Sequence, residues 1–227
     1  METKAKVFSI RKEKMSMIMY STISEEEYRL LQKTGRLECD ATKAVMPNES
    51  KECAIAYRFM SDKLRAKFPS SLTYPRWAWT MWEGEDVSKQ PDVFFADEPN
   101  RKYYRLKLDI KEFLLSDFDA WHYCLWLAPL AYTEDEDAQF DYWQGIARLS
   151  NMDVFLKDNV YTRNLRAKIV KTWDRIFDIE AKNDYALSDE KSIQAVFWTI
   201  HRKDIMEVKE IWVDEKSFDE YNKYYVS

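Results

Sequence analysis

The stretch from Leu114 to Tyr123 holds more distinct chemistry than any other ten residues of the sequence: two carboxylates, three aromatic rings and one of the chain's two histidines. Within it, Asp119 and His122 are three residues apart and would share one face of a helix. A carboxylate beside an imidazole orients the ring and raises its pKa, which is how proteins hold a general acid or base. The spacing therefore makes Asp119 and His122 candidate catalytic residues.

A structural interpretation of the same stretch stands beside the catalytic one. Ser116 or Asp117 would cap a helix that begins near Phe118, because their side-chain oxygens can accept the first free backbone amides. Trp121 would then pack in the core, and His122 would bond a backbone carbonyl. No HExxH or HxH spacing accompanies the histidine, so the sequence predicts no metal site here.

A second candidate site is the segment Arg76–Trp82, which reads RWAWTMW and alternates as a β-strand does. The two predicted faces have these members: Trp77, Trp79 and Met81 on one, and Arg76, Ala78, Thr80 and Trp82 on the other. Indole rings on a strand can form a stacking surface for a base or a nicotinamide ring. The alternative is a strand whose two faces are both buried in the core.

The composition excludes several kinds of nucleotide site. A P-loop or a dinucleotide-binding turn needs glycines in close succession, and the three glycines of this chain, Gly35, Gly84 and Gly145, lie far apart. The net charge is −5, from 35 basic and 40 acidic residues, which gives no strong signal for duplex nucleic acid. The basic group within Arg163–Lys171 is typical of a solvated helix face.

The cysteines and the hydropathy indicate a cytoplasmic protein without a membrane partner. Cys39, Cys53 and Cys124 are odd in number and show no CxxC spacing, which indicates reduced thiols rather than a disulfide frame or a zinc site. No apolar run approaches 18 residues, and the lysine-rich N-terminus lacks the apolar core of a signal peptide. The GxSxG pattern of serine hydrolases does not occur.

Hydrophobic periodicity predicts a single α+β domain over residues 15–227, with a mixed or antiparallel sheet flanked by helices, after a flexible segment at residues 1–14. The predicted strands are Met15–Thr22, Arg76–Trp82, Tyr103–Ile110, Ser192–Ile200 and Ile205–Val213. The predicted helices are one that Ser24 and Glu27 open with a capping box and Gly35 ends, then Lys51–Phe68, Phe118–Trp126 and Arg166–Phe177, with a short tail helix around Tyr221, Tyr224 and Tyr225. The predicted loops and solvated stretches are 39–50, 131–140 and 184–191.

The run LLSDFDAWH at Leu114–His122 resembles the core motif of a bacterial and phage domain family of unknown function. Four further segments resemble that family: PRWAWTMW at Pro75–Trp82, the pair Pro91-Asp92, WDRIFD at Trp173–Asp178 and IQAVFW at Ile193–Trp198. Together they span the chain from about residue 20 to 213. The resemblance implies membership of the family and no particular activity.

A fainter resemblance concerns the order of elements. The segment Met19–Ser24, followed by a helix, Gly35 and a hydrophobic residue, is similar to the entry of small ADP-ribosyltransferase-like domains. The closing strands, Ile193–Ile200 and Ile205–Val213, resemble the end of that fold. Two departures stand out: Ser21 occupies the position where that family has Arg or His, and the closing strand has Gln194 in place of a Glu-x-Glu motif.

This resemblance implies a nucleotide, with NAD as one candidate, held between the first strand, the Trp strand and the closing strand. The implied binding residues are Tyr20, Thr22, Trp77 and Trp79, and Gln194 joins Asp119 and His122 as a candidate catalytic residue.

Two functional hypotheses follow. The first is a non-catalytic binding or inhibitory factor, related to phage or bacterial defence, that grips a partner protein through an aromatic and acidic surface. The acidic stretches Glu83–Asp86 and Glu134–Asp137 favour a basic partner. The alternative is an ADP-ribosyltransferase-like enzyme, or a degenerate relative, that binds NAD. Replacing His122 by Ala separates the two, because an enzyme would lose activity while it stays folded and a binding factor would change little.

Overall fold

The computed structural model describes residues 17–92, 96–181 and 190–222. The predicted flexible segment at 1–14, nearly all of the predicted connection at 184–191, and Tyr224 and Tyr225 of the predicted tail lie outside the described residues. The strands in the described residues are β1 (Met19–Ser24), β2 (Arg36–Glu38), β3 (Arg76–Trp82), β4 (Glu85–Asp86), β5 (Arg101–Leu108), β6 (Leu114–Asp117), β7 (Ile193–Phe197), β8 (Thr199–His201) and β9 (Ile205–Val213). The helices there are α1 (Glu25–Thr34), α2 (Val45–Glu49), α3 (Lys51–Lys67), α4 (Phe118–Leu125), α5 (Glu134–Ala147), α6 (Asn151–Leu156), α7 (Val160–Trp173) and α8 (Glu215–Asn222).

The main sheet has the strand order β6–β7–β3–β1–β5–β9, with β4 paired to β3. The short strands β2 and β8 pair with each other as a separate ribbon. Every pairing between described strands is antiparallel. The predicted α+β class, with an antiparallel sheet flanked by helices in a single domain, is therefore confirmed.

The two faces of the sheet pack against different layers. Met19, Ile23 and their neighbours on one face meet α1 and the β2–β8 ribbon, and Leu31 and Leu37 close this core. The opposite face packs against the larger helical layer of α3, α4 and α7. Members of that layer with no exposed surface include Met60, Leu64, Cys124, Leu127, Ile169 and Trp173.

The first helix forms where local signals predict it. The Ser24 hydroxyl accepts the Glu27 amide at 3.2 Å, and the Glu27 carboxylate accepts the Ser24 amide at 3.2 Å, which completes a capping box. Gly35 ends the helix with φ 76°, and its amide donates to the Leu31 carbonyl. This left-handed conformation costs a residue with a Cβ more than it costs glycine.

Several predicted boundaries differ from the structure. In the described residues, which begin at 17, the first strand starts at Met19 and runs on to Ser24, two residues past the predicted end, while Met15 of the prediction lies outside them. The stretch 39–50, predicted as a loop, contains α2. The acidic stretch 131–140, predicted as solvated, supplies the first turns of α5, where negative charges favour the positive end of the helix. Its Phe140 is buried, so this segment contributes to the core as well.

The predicted closing strand Ser192–Ile200 is divided at Trp198 into β7 and β8. The Trp198 indole donates to the Phe68 carbonyl at 2.8 Å, which anchors the bend to the end of α3. β7 continues in the main sheet, whereas β8 pairs with β2. The strands β7 and β9 are thus separated by three others, because β9 pairs with β5 at the far edge.

Candidate functional site

The three strands that the resemblance to ADP-ribosyltransferase-like domains implied for nucleotide binding are neighbours in the sheet. β3 lies between β1 and β7, and Tyr20, Trp79 and Gln194 are Cα partners in one cross-strand row. Strand alternation places Thr22 and Trp77 on the same face as this row. We call it the Trp face, defined by Tyr20, Thr22, Trp77, Trp79 and Gln194. Every strand residue predicted for the site therefore lies on one face of the sheet.

Trp82 also belongs to this face, so the prediction that placed it opposite Trp79 is wrong. The pairing of β3 with β7 shifts register between Trp79 and Met81, which inserts a bulge into the strand. An extra residue reverses the alternation beyond it. The rings of Trp79 and Trp82 consequently meet edge to face with centroids 5.0 Å apart, and Met81 is the exposed residue.

The helix α4 begins where the structural interpretation of the central motif predicted. Asp117 is its N-cap: Oδ1 accepts the amides of Asp119 at 3.0 Å and Ala120 at 3.1 Å. The Asp117 side chain is buried, and its other oxygen lies 3.4 Å from the Lys191 ammonium without hydrogen-bond geometry. Trp121 packs in the helical core with 3% of its surface exposed.

One face of α4 presents an aromatic row that continues from the sheet. Phe118 contacts two of the three indoles of β3, with centroids 4.8 Å from Trp79 and 5.9 Å from Trp82. His122 follows one helical turn later at 4.6 Å from Phe118, and Trp126 lies 5.7 Å from His122. We call the five side chains Trp79, Trp82, Phe118, His122 and Trp126 the aromatic ridge. Trp126 is 60% exposed at its outer end.

His122 lies in this ridge, half-buried, and not in the core. Its Nδ1 is 3.0 Å from the Phe118 carbonyl oxygen. Because a carbonyl can only accept, Nδ1 carries the hydrogen, and a neutral ring keeps its lone pair on Nε2. The Phe118 carbonyl therefore fixes the ring, as the structural interpretation predicted. The catalytic role of His122 stays a prediction.

Asp119 lies at the junction of α4 and the start of β7. Burial raises the pKa of its carboxyl group, the neighbouring Asp117 carboxylate raises it further, and His122 opposes both. The Ser192 backbone N–H donates to the carboxylate and also lowers the pKa. Gln194 is 6% exposed on the adjacent strand. A carboxyl group in such surroundings can exchange a proton closer to neutrality than an exposed one, and the catalytic roles of Asp119 and Gln194 stay predictions.

A cavity of about 240 Å³ opens on the Trp-face side of β1, β5 and β9, beside Tyr20. Its walls are Tyr20, Ser88, Asp92, Arg105, Lys107, Glu207 and Lys209. The Arg105 guanidinium lies 4.8 Å from the Tyr20 ring centroid and donates to the Val87 and Gln90 carbonyls at 2.5 and 2.9 Å. These contacts hold the loop after β4 over the sheet.

Sequence reasoning missed the charged wall of this cavity. The alternation of β5 that sends Leu106 and Leu108 to the core sends Arg105 and Lys107 to the opposite face. Applied to both faces, that pattern would have found the two cations. Asp92 of the overlying loop lies 2.5 Å from Lys209 of the next strand, a contact that tertiary structure creates.

Within the described residues, no group of three or more His, Cys, Asp or Glu side chains is arranged to hold a metal ion. None of the helices in the described ranges has the length and apolar character that crossing a bilayer requires.

Comparison with known proteins gives one match. A family model described as "Domain of unknown function (DUF3841)" matches residues 18–206. No curated protein and no solved structure matches the chain. The match confirms the suspected family of unknown function.

Proposed function

Since the chain belongs to the DUF3841 family, a domain family of unknown function, we propose from its geometry that it is a binding or inhibitory factor that grips a basic partner protein through the aromatic ridge. The observation that carries the proposal is a row of five side-chain rings, each in contact with the next, that ends in the exposed Trp126. Large aromatic side chains dominate the energetics of protein interfaces.

The ridge is rigid where a binding surface benefits from rigidity. Trp79 and Trp82 stand on a central strand, and the other three side chains stand on a helix fixed by the buried Asp117 cap. The Asn151 side-chain amide donates to the Trp126 carbonyl at 3.1 Å, which ties the outer end to α6. Rings held in this way lose little conformational entropy when a partner covers them.

Carboxylates flank the ridge at both ends. Glu83 follows Trp82 directly, and its charge contributes to the raised pKa of the Asp119 carboxyl group, so the two acids lie near each other. At the other end, Asp137 of α5 raises the pKa of Tyr123, which lies 5.9 Å from Trp126. An apolar strip bordered by negative charge complements a partner with apolar and basic side chains.

The test compares two exposed tryptophans. The wild-type chain is used to recover binding proteins from a native host, and each recovered protein is then purified and titrated by calorimetry. Trp126→Ala is expected to weaken the specific complex by about thirtyfold or more, since an aromatic anchor of an interface contributes about 2 kcal/mol or more. Trp212→Ala is the matched control. Trp212 is similarly exposed, at 65%, but lies on β9, which β1 and β5 separate from the β3 strand of the ridge.

Equal affinity for wild type, Trp126→Ala and Trp212→Ala would contradict the proposal. A second ridge variant, Trp82→Ala, measures the contribution of the ridge at another position. Circular dichroism and thermal unfolding verify that each variant is folded before the affinities are compared.

The row Tyr20–Trp79–Gln194 favours a second candidate function, nucleotide binding of the ADP-ribosyltransferase-like kind. The row lies across the three strands that this hypothesis requires, and the cavity beside Tyr20 adds cationic side chains at its edge. NAD would stack on Tyr20 or Trp79 in this arrangement. Thermal unfolding with NAD and a panel of other nucleotides is the test: millimolar ligand raises the midpoint if the hypothesis holds, and an unchanged midpoint across the panel refutes it.

A further inference from the structure

The strand β9 is an edge that other described strands leave open. It runs for nine residues and pairs with β5 on one side, and it ends the strand order of the main sheet in the described residues. Five successive residues, 206–210, are exposed, including Met206 at 58% and Val208 at 38%. A long edge with exposed apolar side chains is a template for pairing with another strand.

Among the described residues after β9, the helix α8 does not close this edge. Phe218 of α8 packs with Tyr103, Ile211 and Val213. Those three residues share one face of the β5–β9 pair, since Tyr103 is the Cα partner of Ile211 and Val213 lies two residues further along. The contact of α8 is therefore with a face of the sheet.

We propose that the occupant of this edge is a second copy of the chain, paired antiparallel through β9 about a twofold axis at Val208. In such a pair both copies present the same face of their sheet on the same side of the dimer. The numbers of any two residues that lie opposite each other add up to the same total. With Val208 opposite Val208 of the second copy, Glu207 lies opposite Lys209 of the second copy. Symmetry repeats this pair of opposite charges.

The neighbouring registers are less favourable. An axis at Lys209 sets two ammonium groups opposite each other, and an axis at Glu207 or Glu210 does the same with two carboxylates. Like charges directly opposite each other destabilise a strand pair. The register at Val208 also places Ile205 opposite Ile211 of the second copy, an apolar pair. Among axes at residues 207 to 210, the charge pattern of β9 therefore favours the one at Val208.

The second copy would also complete a site. Glu207 and Lys209 line the cavity beside Tyr20, and Lys209 contacts Asp92 there at 2.5 Å. In the dimer, Glu207 of the second copy reaches Lys209 from the open side. The pairing joins two main sheets edge to edge and gives each cavity a wall from its neighbour.

Sedimentation equilibrium over a concentration series tests the dimer, and charge reversal tests its register. Glu207→Lys or Lys209→Glu alone replaces two attractive pairs by two repulsive ones, and each is expected to raise the dimer Kd about tenfold or more. The combined exchange of both residues restores the attraction and is expected to return the Kd to within about threefold of wild type. Asp92→Asn and Arg58→Glu are controls that should not raise the Kd: the first removes the contact of Asp92 with Lys209 inside one chain, and the second makes the same charge change as Lys209→Glu at an exposed position of α3.

A single cysteine gives an independent measurement of the register. Val208→Cys places two thiols on the axis, at a cross-strand Cβ distance of about 5 Å, and is expected to form a disulfide-linked dimer under mild oxidation. Met206→Cys is the control, because its two copies would be about 14 Å apart. A 27.3 kDa monomer at every concentration up to about 1 mM overturns the proposal. A dimer that survives both single reversals, or that cross-links at Met206→Cys and not at Val208→Cys, overturns it as well.

Discussion

The buried cap Asp117 offers the sharpest test of how the site is held. Replacing it by Ala removes the acceptor of two α4 amides, at 3.0 and 3.1 Å, and a lost N-cap costs about 1 kcal/mol. It also leaves the ammonium of Lys191, whose side chain is 12% exposed, without the carboxylate that lies 3.4 Å away. An unpaired, largely buried cation adds about 1–3 kcal/mol, less than for a fully buried pair, because the contact is loose.

The expected loss for Asp117→Ala is therefore about 2–4 kcal/mol, or about 4–16 °C in Tm for a chain of this size. Asp117→Asn keeps an acceptor for both amides and removes only the charge, so its loss should be about 1 kcal/mol smaller. Urea unfolding at pH 7, followed by tryptophan fluorescence, measures the three free energies of unfolding. The control is Thr133→Ala, which removes a solvent-exposed N-cap from α5 that accepts the Glu136 amide at 3.2 Å. If Asp117→Ala costs no more than Thr133→Ala, the buried cap stabilises α4 no more than an exposed cap would.

Three further predictions use other features of the fold. Gly35→Ala should destabilise the protein by about 1 kcal/mol because φ is 76°. Gly145→Ala should stabilise it by about 0.5–1 kcal/mol, because Gly145 lies inside α5 with open space around the new methyl group. Thermal unfolding measures both, and equal changes in Tm would contradict the prediction. Glu136 accepts two hydrogen bonds from Arg175, at 2.7 and 2.8 Å, which hold the pKa of its carboxyl group below the usual 4.5. The stability that this pair contributes is therefore present above that value and is lost as the pH falls through the folded-state pKa. Glu136→Gln should lower Tm at pH 7, and its Tm should approach that of wild type in acid; a constant difference in Tm across pH would refute the assignment. Burial raises the pKa of the Cys124 thiol well above its usual value, and it also raises the pKa of the half-buried Cys39 thiol. A thiol reagent at pH 8 should therefore label Cys53, more slowly Cys39, and Cys124 only after unfolding; fast labelling of Cys124 in the native protein would contradict its burial.

The elements that sequence predicted well are those specified by neighbours along the chain. The capping box of Ser24 and Glu27, the Gly35 stop and the apolar spacing of Lys51–Phe68 act within a few residues, and the structure places α1 and α3 accordingly. The strand bounds of β3 agree with the prediction for the same reason, since alternation is a local signal. The acidic run at the start of α5 was misinterpreted because charge alone does not separate a helix N-terminus from a solvated loop.

The bulge in β3 shows where local signals end. Nothing in RWAWTMW marks the register shift against β7, because the shift belongs to the pairing of two segments that are more than a hundred residues apart. That shift moved Trp82 beside Trp79 and created the sheet half of the aromatic ridge. The sequence determined that an aromatic strand, a capped helix with His122 and a closing strand exist. Tertiary structure decided that Tyr20, Trp79 and Gln194 share one row and that Phe118 of α4 covers the indoles of Trp79 and Trp82. The reason is that side-chain proximity across strands depends on strand order and register, which long-range packing sets.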